Sequence, residues 1–148
     1  MSPDPIPPEQ ELVAVQVWRI CPWPDGAPID SFLVCLQSAD LRILPITIGE
    51  FEGKALYMAH EGIEPERPLP YNLLEDCISR VGGQVERLVI HTLEDKVFHA
   101  CLEVVSPQDR FRLDCRPSDG MVLATLLRVP ILVSEEVLAV AGRRLSDD

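Results

Sequence analysis

Four polar side chains of the kinds that handle phosphate and metal stand within six residues: Asp114, Arg116, Ser118 and Asp119. They lie in "RFRLDCRPSDGMVLATLLR", residues 110–128. Phe111, Leu113 and Cys115 alternate as one face of a strand would, and Asp114 and Arg116 leave by the other. Pro117 suits a first helical turn. From Met121 on, the apolar residues follow a helical spacing. A strand end thus meets a helix start. Free N–H groups at that start and a guanidinium would hold a phosphate, with Arg116 and Ser118 as the binding groups. Carboxylates at the same place would hold a divalent cation, which activates water and stabilises a leaving oxygen in phosphodiester hydrolysis. The other reading is a strand-to-helix junction in which Ser118 and Asp119 bond the free N–H groups and an Arg–Asp pair staples the fold.

A second acidic group, Glu50 and Glu52, opens a predicted helix, with Glu61 near its end. Residues two apart on a helix do not share a face, so one of the pair, Glu50, is the candidate to join Asp114 and Asp119. The expected catalytic and metal-holding set is therefore Asp119, Asp114 and Glu50, with magnesium or manganese as the cofactor. The rival reading of Glu50 and Glu52 is complementation of the helix dipole. His91 and His99 would face each other in a hairpin and could bind zinc or nickel, although no third ligand is evident. Trp18, Arg19 and Trp23 could stack nucleic-acid bases, or else pack the core and anchor a loop.

These groups need elements to position them. "ELVAVQVWRI" alternates as a strand, "CPWPDGAP" is a loop, and "DSFLVCLQSAD" and "LRILPITIG" are two further strands of a meander. Pro45 points to a sheet edge or bulge. Residues 50–62 read as a helix stopped by Gly62, with Glu50 and Lys54 at the favourable four-residue spacing. Residues 71–81 read as a second helix, with Leu73, Leu74, Cys77, Ile78 and Val81 inward. "QVERLVIHTLEDKVFHACLEVVS" reads as a hairpin with a three-residue loop, Glu94-Asp95-Lys96. That register pairs Ile90 with Ala100, Leu88 with Leu102, Arg87 with Glu103, and His91 with His99. Strand 110–115 and helix 118–128 follow. "VPILVS" is a short strand, and "EEVLAVAG" a short helix capped by Ser134 and stopped by Gly142. The fold class is α+β, a single domain with a mixed, largely antiparallel sheet.

The bulk properties narrow the function. A chain of 148 residues is long enough for one substantial core. Four prolines in "MSPDPIPPEQ" predict a flexible segment over 1–10, followed by a domain over 11–142 and a tail over 143–148. No window suits a membrane span and no signal peptide is evident. Five cysteines at wide spacings, without a zinc-type pair, suggest free thiols in a reducing cytoplasm. The net charge of −11 opposes nucleic acid unless a basic patch or a cation offsets it locally. Residues 55–59 are apolar most of the way round their helix, which suggests a homo-oligomer, expected as a dimer.

The blocks "LPITIGEFEGKAL", "EGIEPERPL", "DCRPSDG" and "VPILVSEEVL" resemble the bifunctional nuclease family across residues 11–142. The resemblance implies hydrolysis of DNA and RNA, the activity reported for plant members. Where that family has a Thr-His-Asp run, this chain has Pro70, Tyr71 and Asn72. Thr47 stands at the usual tryptophan and Lys96 at the usual hairpin glycine. The alternative is a non-catalytic homo-oligomeric module that binds a small anionic ligand or a protein partner. The absence of a complete catalytic set favours that alternative on physical grounds.

Overall fold

The computed structural model describes residues 11–23 and 30–144. The expected flexible segment 1–10, most of the loop after Trp23 and the end of the tail lie outside the described residues. Among the described residues are eight strands and four helices. The strands are β1 (Leu12–Trp23), β2 (Ser31–Ser38), β3 (Arg42–Gly49), β4 (Gln84–Glu94), β5 (Val97–Val105), β6 (Arg110–Cys115), β7 (Ile131–Ser134) and β8 (Arg143–Arg144). The helices are α1 (Glu50–Glu61), α2 (Pro70–Arg80), α3 (Pro117–Leu127) and α4 (Glu135–Ala141). The strands form one sheet in the order β6-β5-β4-β7-β1-β2-β3-β8. Every neighbouring pair is antiparallel except β4 and β7. This is the α+β class with the mixed sheet that the sequence predicts.

β7 joins the sheet's two halves. One half is the meander β1–β3 and the other the meander β4–β6. Ile131 and Val133, both buried, pair with Leu88 and Ile90 on one side and with Val15 and Val13 on the other. Ser134 then caps α4, accepting from the Val137 N–H at 3.1 Å while its hydroxyl donates to the His91 carbonyl at 3.2 Å. Arg143 and Arg144, expected to begin a tail, pair with Ile43 and Arg42 instead. β8 stops there, so Pro45 lies on a stretch of β3 whose outer side no described strand occupies. β1 runs three residues further than expected, through Cys21, Pro22 and Trp23. The reason is that β2 begins at Ser31, opposite Trp23, and its ladder carries those residues.

The hairpin keeps its predicted base and loses its predicted tip. Ile90 pairs with Ala100, Leu88 with Leu102 and Arg87 with Glu103, as the apolar alternation requires. The turn is a two-residue one, Asp95-Lys96, both with positive φ (50° and 66°), so Glu94 faces Val97. Two-residue turns of this hand match strand twist. Base and tip then differ by one residue, and a bulge at His91 absorbs it. Thr92, not His91, faces His99. His91 is buried, with Nδ1 2.8 Å from Thr92 Oγ1. The facing-histidine metal site is therefore not formed.

α2 departs from expectation too. Leu73, Leu74, Cys77 and Val81 are exposed, and only the margin of the stripe carrying Tyr71 and Ile78 packs on the core. The apolar stretch of α1 has an internal explanation: Ala55 and Leu56 are buried against β2, β3 and α3, leaving Tyr57 half-exposed.

Candidate functional site

Two strand-to-helix turns meet at one corner. β3 runs straight into α1 and β6 into α3, and the two helices pack on each other. Each first turn holds a carboxylate followed by a buried glycine: Glu52-Gly53 in α1 and Asp119-Gly120 in α3. The glycines let the helices sit low on the sheet. A Cβ added at Gly53 would come within 2.5 Å of Phe32 Cγ and 2.8 Å of its Cβ. One added at Gly120 would meet the Leu88 side chain and come 3.1 Å from Cys115 Sγ. This close seating brings Glu52 and Asp119 within reach of a single guanidinium.

That guanidinium belongs to Arg116, the N-cap residue of α3. Its Nε donates to Asp119 Oδ2 at 2.8 Å, and its Nη2 donates to Asp119 Oδ1 and to Glu52 Oε1, both at 3.1 Å. The Tyr71 hydroxyl, from the start of α2, donates to Asp119 Oδ1 at 2.7 Å. Three segments far apart in sequence thus meet at the Arg116–Asp119 pair.

The electrostatics follow from this geometry. Burial alone would raise the Asp119 pKa, but the hydrogen bonds from Arg116 and Tyr71 outweigh it and hold the carboxyl below the usual range. Burial, and then the bond to a carboxylate, push the Tyr71 phenol well above its ordinary value. At neutral pH the corner therefore contains an ionised Asp119 and a protonated Tyr71. The neighbouring thiols stay protonated at neutral pH: burial pushes Cys101 to about 11 and Cys115 to about 12.

The structure assembles part of the predicted set. Asp119 and Arg116 are together as expected. Glu50 is not with them: its Oε1 accepts from Lys54 Nζ at 2.9 Å, and Glu52 occupies the place proposed for it. Glu52, two residues on and so on nearly the opposite side of the helix, points where α1 faces α3. Asp114 is exposed on β6 opposite Cys101 and takes no part in the network. Ser118 is buried beneath the junction. Neither Ser118 nor Asp119 bonds a free N–H of α3, because the Asp119 carboxylate is turned to Arg116 and Tyr71. Tyr71 and Glu52 are the two members that sequence reading leaves out of the set. A signal for Tyr71 was present: it sits where the resembling family carries histidine. Asn72, at the following position, accepts the Leu69 N–H at 2.8 Å and serves the start of α2. Trp18 sits at a bulge of β1 with the Arg19 guanidinium 4.4 Å above its ring, so the two make a local pair.

A divalent cation would have to displace Arg116 from this donor set. Both Asp119 oxygens and one Glu52 oxygen already accept from Arg116 or Tyr71, and Glu50 accepts from Lys54. Among the described residues no three His, Cys, Asp or Glu side chains are grouped to hold a metal ion. Also among the described residues, no helix is long and apolar enough to cross a membrane.

The family model of the bifunctional nuclease domain matches residues 34–146, from within β2 through α4 and β8. The chain belongs to the bifunctional nuclease domain family. It is 38% identical over 141 residues to an uncharacterized protein of Mycobacterium tuberculosis (strain H37Rv), covering 95% of this chain and 79% of that one. It is 26% identical over 127 residues to bifunctional nuclease 2 of Arabidopsis thaliana, covering 84% of this chain and 39% of that one. Bifunctional nuclease 1 of Oryza sativa subsp. indica is 25% identical over 116 residues, covering 76% and 35%. The chain thus spans little more than a third of the plant relatives' length.

Proposed function

We propose that this chain hydrolyses phosphodiester bonds in single-stranded RNA and DNA at the corner of Arg116, Asp119, Tyr71 and Glu52. The observation that carries the reading is the convergence on Asp119 of an exposed guanidinium and a protonated phenol, in a chain of the bifunctional nuclease domain family. Arg116 has 65% of its side chain exposed and can turn toward an incoming phosphate. It would neutralise charge on the non-bridging oxygens as phosphorus becomes five-coordinate. Asp119, ionised, would accept the proton of the attacking water. Water oxygen bonds to phosphorus, the ester oxygen leaves with the bonding pair and takes a proton from solvent. Tyr71 keeps its proton and orients Asp119. Magnesium or manganese would have to compete with Arg116 for Asp119, so no step is routed through either.

A second reading rests on a specific feature. Arg116 is already shared between two carboxylates, and the corner carries net negative charge. That favours a non-catalytic module in which the cluster clamps α1, α2 and α3 together, as does the net charge of −11.

The test is cleavage of labelled single-stranded RNA and DNA by wild type and by Asp119→Asn, each with magnesium, manganese or chelator. Loss of a general base lowers cleavage by roughly 10²–10⁴-fold. Asparagine can still accept from Tyr71 and Arg116, so the variant stays folded. If the wild type cleaves nothing under any condition, or the variant cleaves as well as wild type, hydrolysis at this corner is refuted and the clamp reading stands.

A further inference from the structure

Glu52 takes no step in the chemistry assigned to the corner, yet the fold holds it firmly in place. Its side chain is 19% exposed, against 65% for Arg116. Among the described residues its carboxylate has one ion-pair partner, Arg116, whose Nη2 donates to Oε1 at 3.1 Å. Oε2 is folded back over Gly49, the N-cap residue of α1: a Cβ added there would overlap Oε2 and lie 3.4 Å from Cδ.

Gly49 is glycine for room, not for conformation. Its φ of −68° and ψ of 165° suit any residue, and it pairs with Ser31 as an ordinary end of β3. What the missing side chain supplies is a seat for the Glu52 carboxylate at the edge of the corner.

The two carboxylates occupy different sides of the guanidinium. A guanidinium offers two forks, one from Nε with the nearer Nη and one from the two Nη groups at its end. Asp119 takes the first fork whole, through Nε and Nη2. Glu52 takes the remaining N–H of Nη2, which is one prong of the second. Among the described residues Nη1, the other prong, donates to nothing. Two-pronged binding of a phosphate at the end of Arg116 therefore requires Glu52 to let go, while the Asp119 pair can stay. The displacing group needs negative charge and two acceptor oxygens at carboxylate spacing, which a phosphate has and a neutral sugar or base has not.

We propose that Glu52, seated over Gly49, is a latch on the end-on fork of Arg116, and that phosphate binds by displacing it. Glu52 is then a positioning residue. It keeps the fork closed to weak or neutral ligands, and it is left as a poorly solvated, unpaired carboxylate when the fork is filled, which draws Arg116 back once product leaves. The inference rests on the reading of this corner as a phosphate site, and its test separates the two.

The experiment is calorimetric titration of inorganic phosphate into the full chain at low ionic strength, where exposed charges are least screened. Glu50→Gln removes the same charge from the same turn of α1 without touching Arg116, so it measures the long-range part of the effect. Glu52→Gln is expected to bind phosphate roughly threefold to fivefold more tightly than Glu50→Gln, the scale of a partly exposed ion pair. Gly49→Ala keeps every charge but unseats the carboxylate, and its affinity should rise above wild type. The gain from Glu52→Gln should vanish when Arg116→Gln is added. In the cleavage assay Glu52→Gln should lower KM by a similar factor and leave kcat unchanged, because the latch opposes ground and transition states alike. If Glu52→Gln and Gly49→Ala lower Tm and gain no affinity beyond Glu50→Gln and wild type respectively, Glu52 only fastens α1 to α3 and the latch is overturned. It is overturned too if neither wild type nor either variant binds phosphate. A wild type that cleaves nothing while both variants gain affinity removes hydrolysis and leaves the latch standing. A wild type that cleaves while neither variant gains removes the latch and leaves hydrolysis standing.

Discussion

Replacing Gly53 by alanine tests whether the close seating of α1 is what builds the corner. The added methyl would sit 2.5 Å from Phe32 Cγ and 2.8 Å from Phe32 Cβ, about 1 Å inside ordinary carbon–carbon contact. Turning the ring cannot relieve this, because the Cβ is fixed by β2 and Phe32 is buried. The helix must lift. Overpacking of this kind costs about 1–3 kcal/mol. Alanine returns about 1 kcal/mol of helix propensity. The net expectation is a loss of up to about 2 kcal/mol, or a fall in Tm of up to about 8 °C for a chain of this size. Lifting α1 also draws Glu52 from Arg116, so the variant should lose the coupling between Glu52→Gln and Arg116→Lys in a double-mutant cycle. Gly62→Ala is the control: its φ of +71° strains alanine but nothing lies within 4 Å, so it should cost about 1 kcal/mol and leave that coupling intact. Urea denaturation and calorimetry read both quantities. A Gly53→Ala protein as stable as wild type, with the coupling unchanged, would refute the argument.

Two further outcomes follow from the corner. Tyr71→Phe removes one hydrogen bond to an ionised acceptor and should cost about 1–2 kcal/mol in urea, while Tyr71→Phe in an Asp119→Ala background should cost markedly less. Asp119 has a folded pKa below its unfolded value of roughly 4. Its contribution is therefore present above that unfolded value and is lost as pH falls through the lower folded one. Asp119→Asn should flatten the loss of stability on acidification below about pH 4, and acid titrations of the two proteins that superimpose would show that the carboxylate is not held down by Arg116.

Much of this architecture is written in local pattern. The period of two in "SFLVCLQS", the period change at Gly49, Pro117 at a first helical turn and Ser134 before α4 each act over one element, so spacing alone places them. The base of the hairpin is fixed the same way, since a slip of one residue would turn Leu88 and Ile90 out of the core. Sequence also carried Asp119 and Arg116 to the corner, because they are three apart at one junction. The rest depended on distance in space. Whether Glu50 or Glu52 faces Arg116 is set by how α1 is rotated against α3, and that rotation is decided by two glycines packed on Phe32 and on Leu88, the first one strand away in sequence and the second two. Tyr71 reaches Asp119 only because α2 packs on α3. The exposed leucines of α2 have the same origin. A helix laid on the outside of another helix can bury only the margin of its stripe against its own chain, and periodicity reports the stripe without saying which part of it the fold will cover.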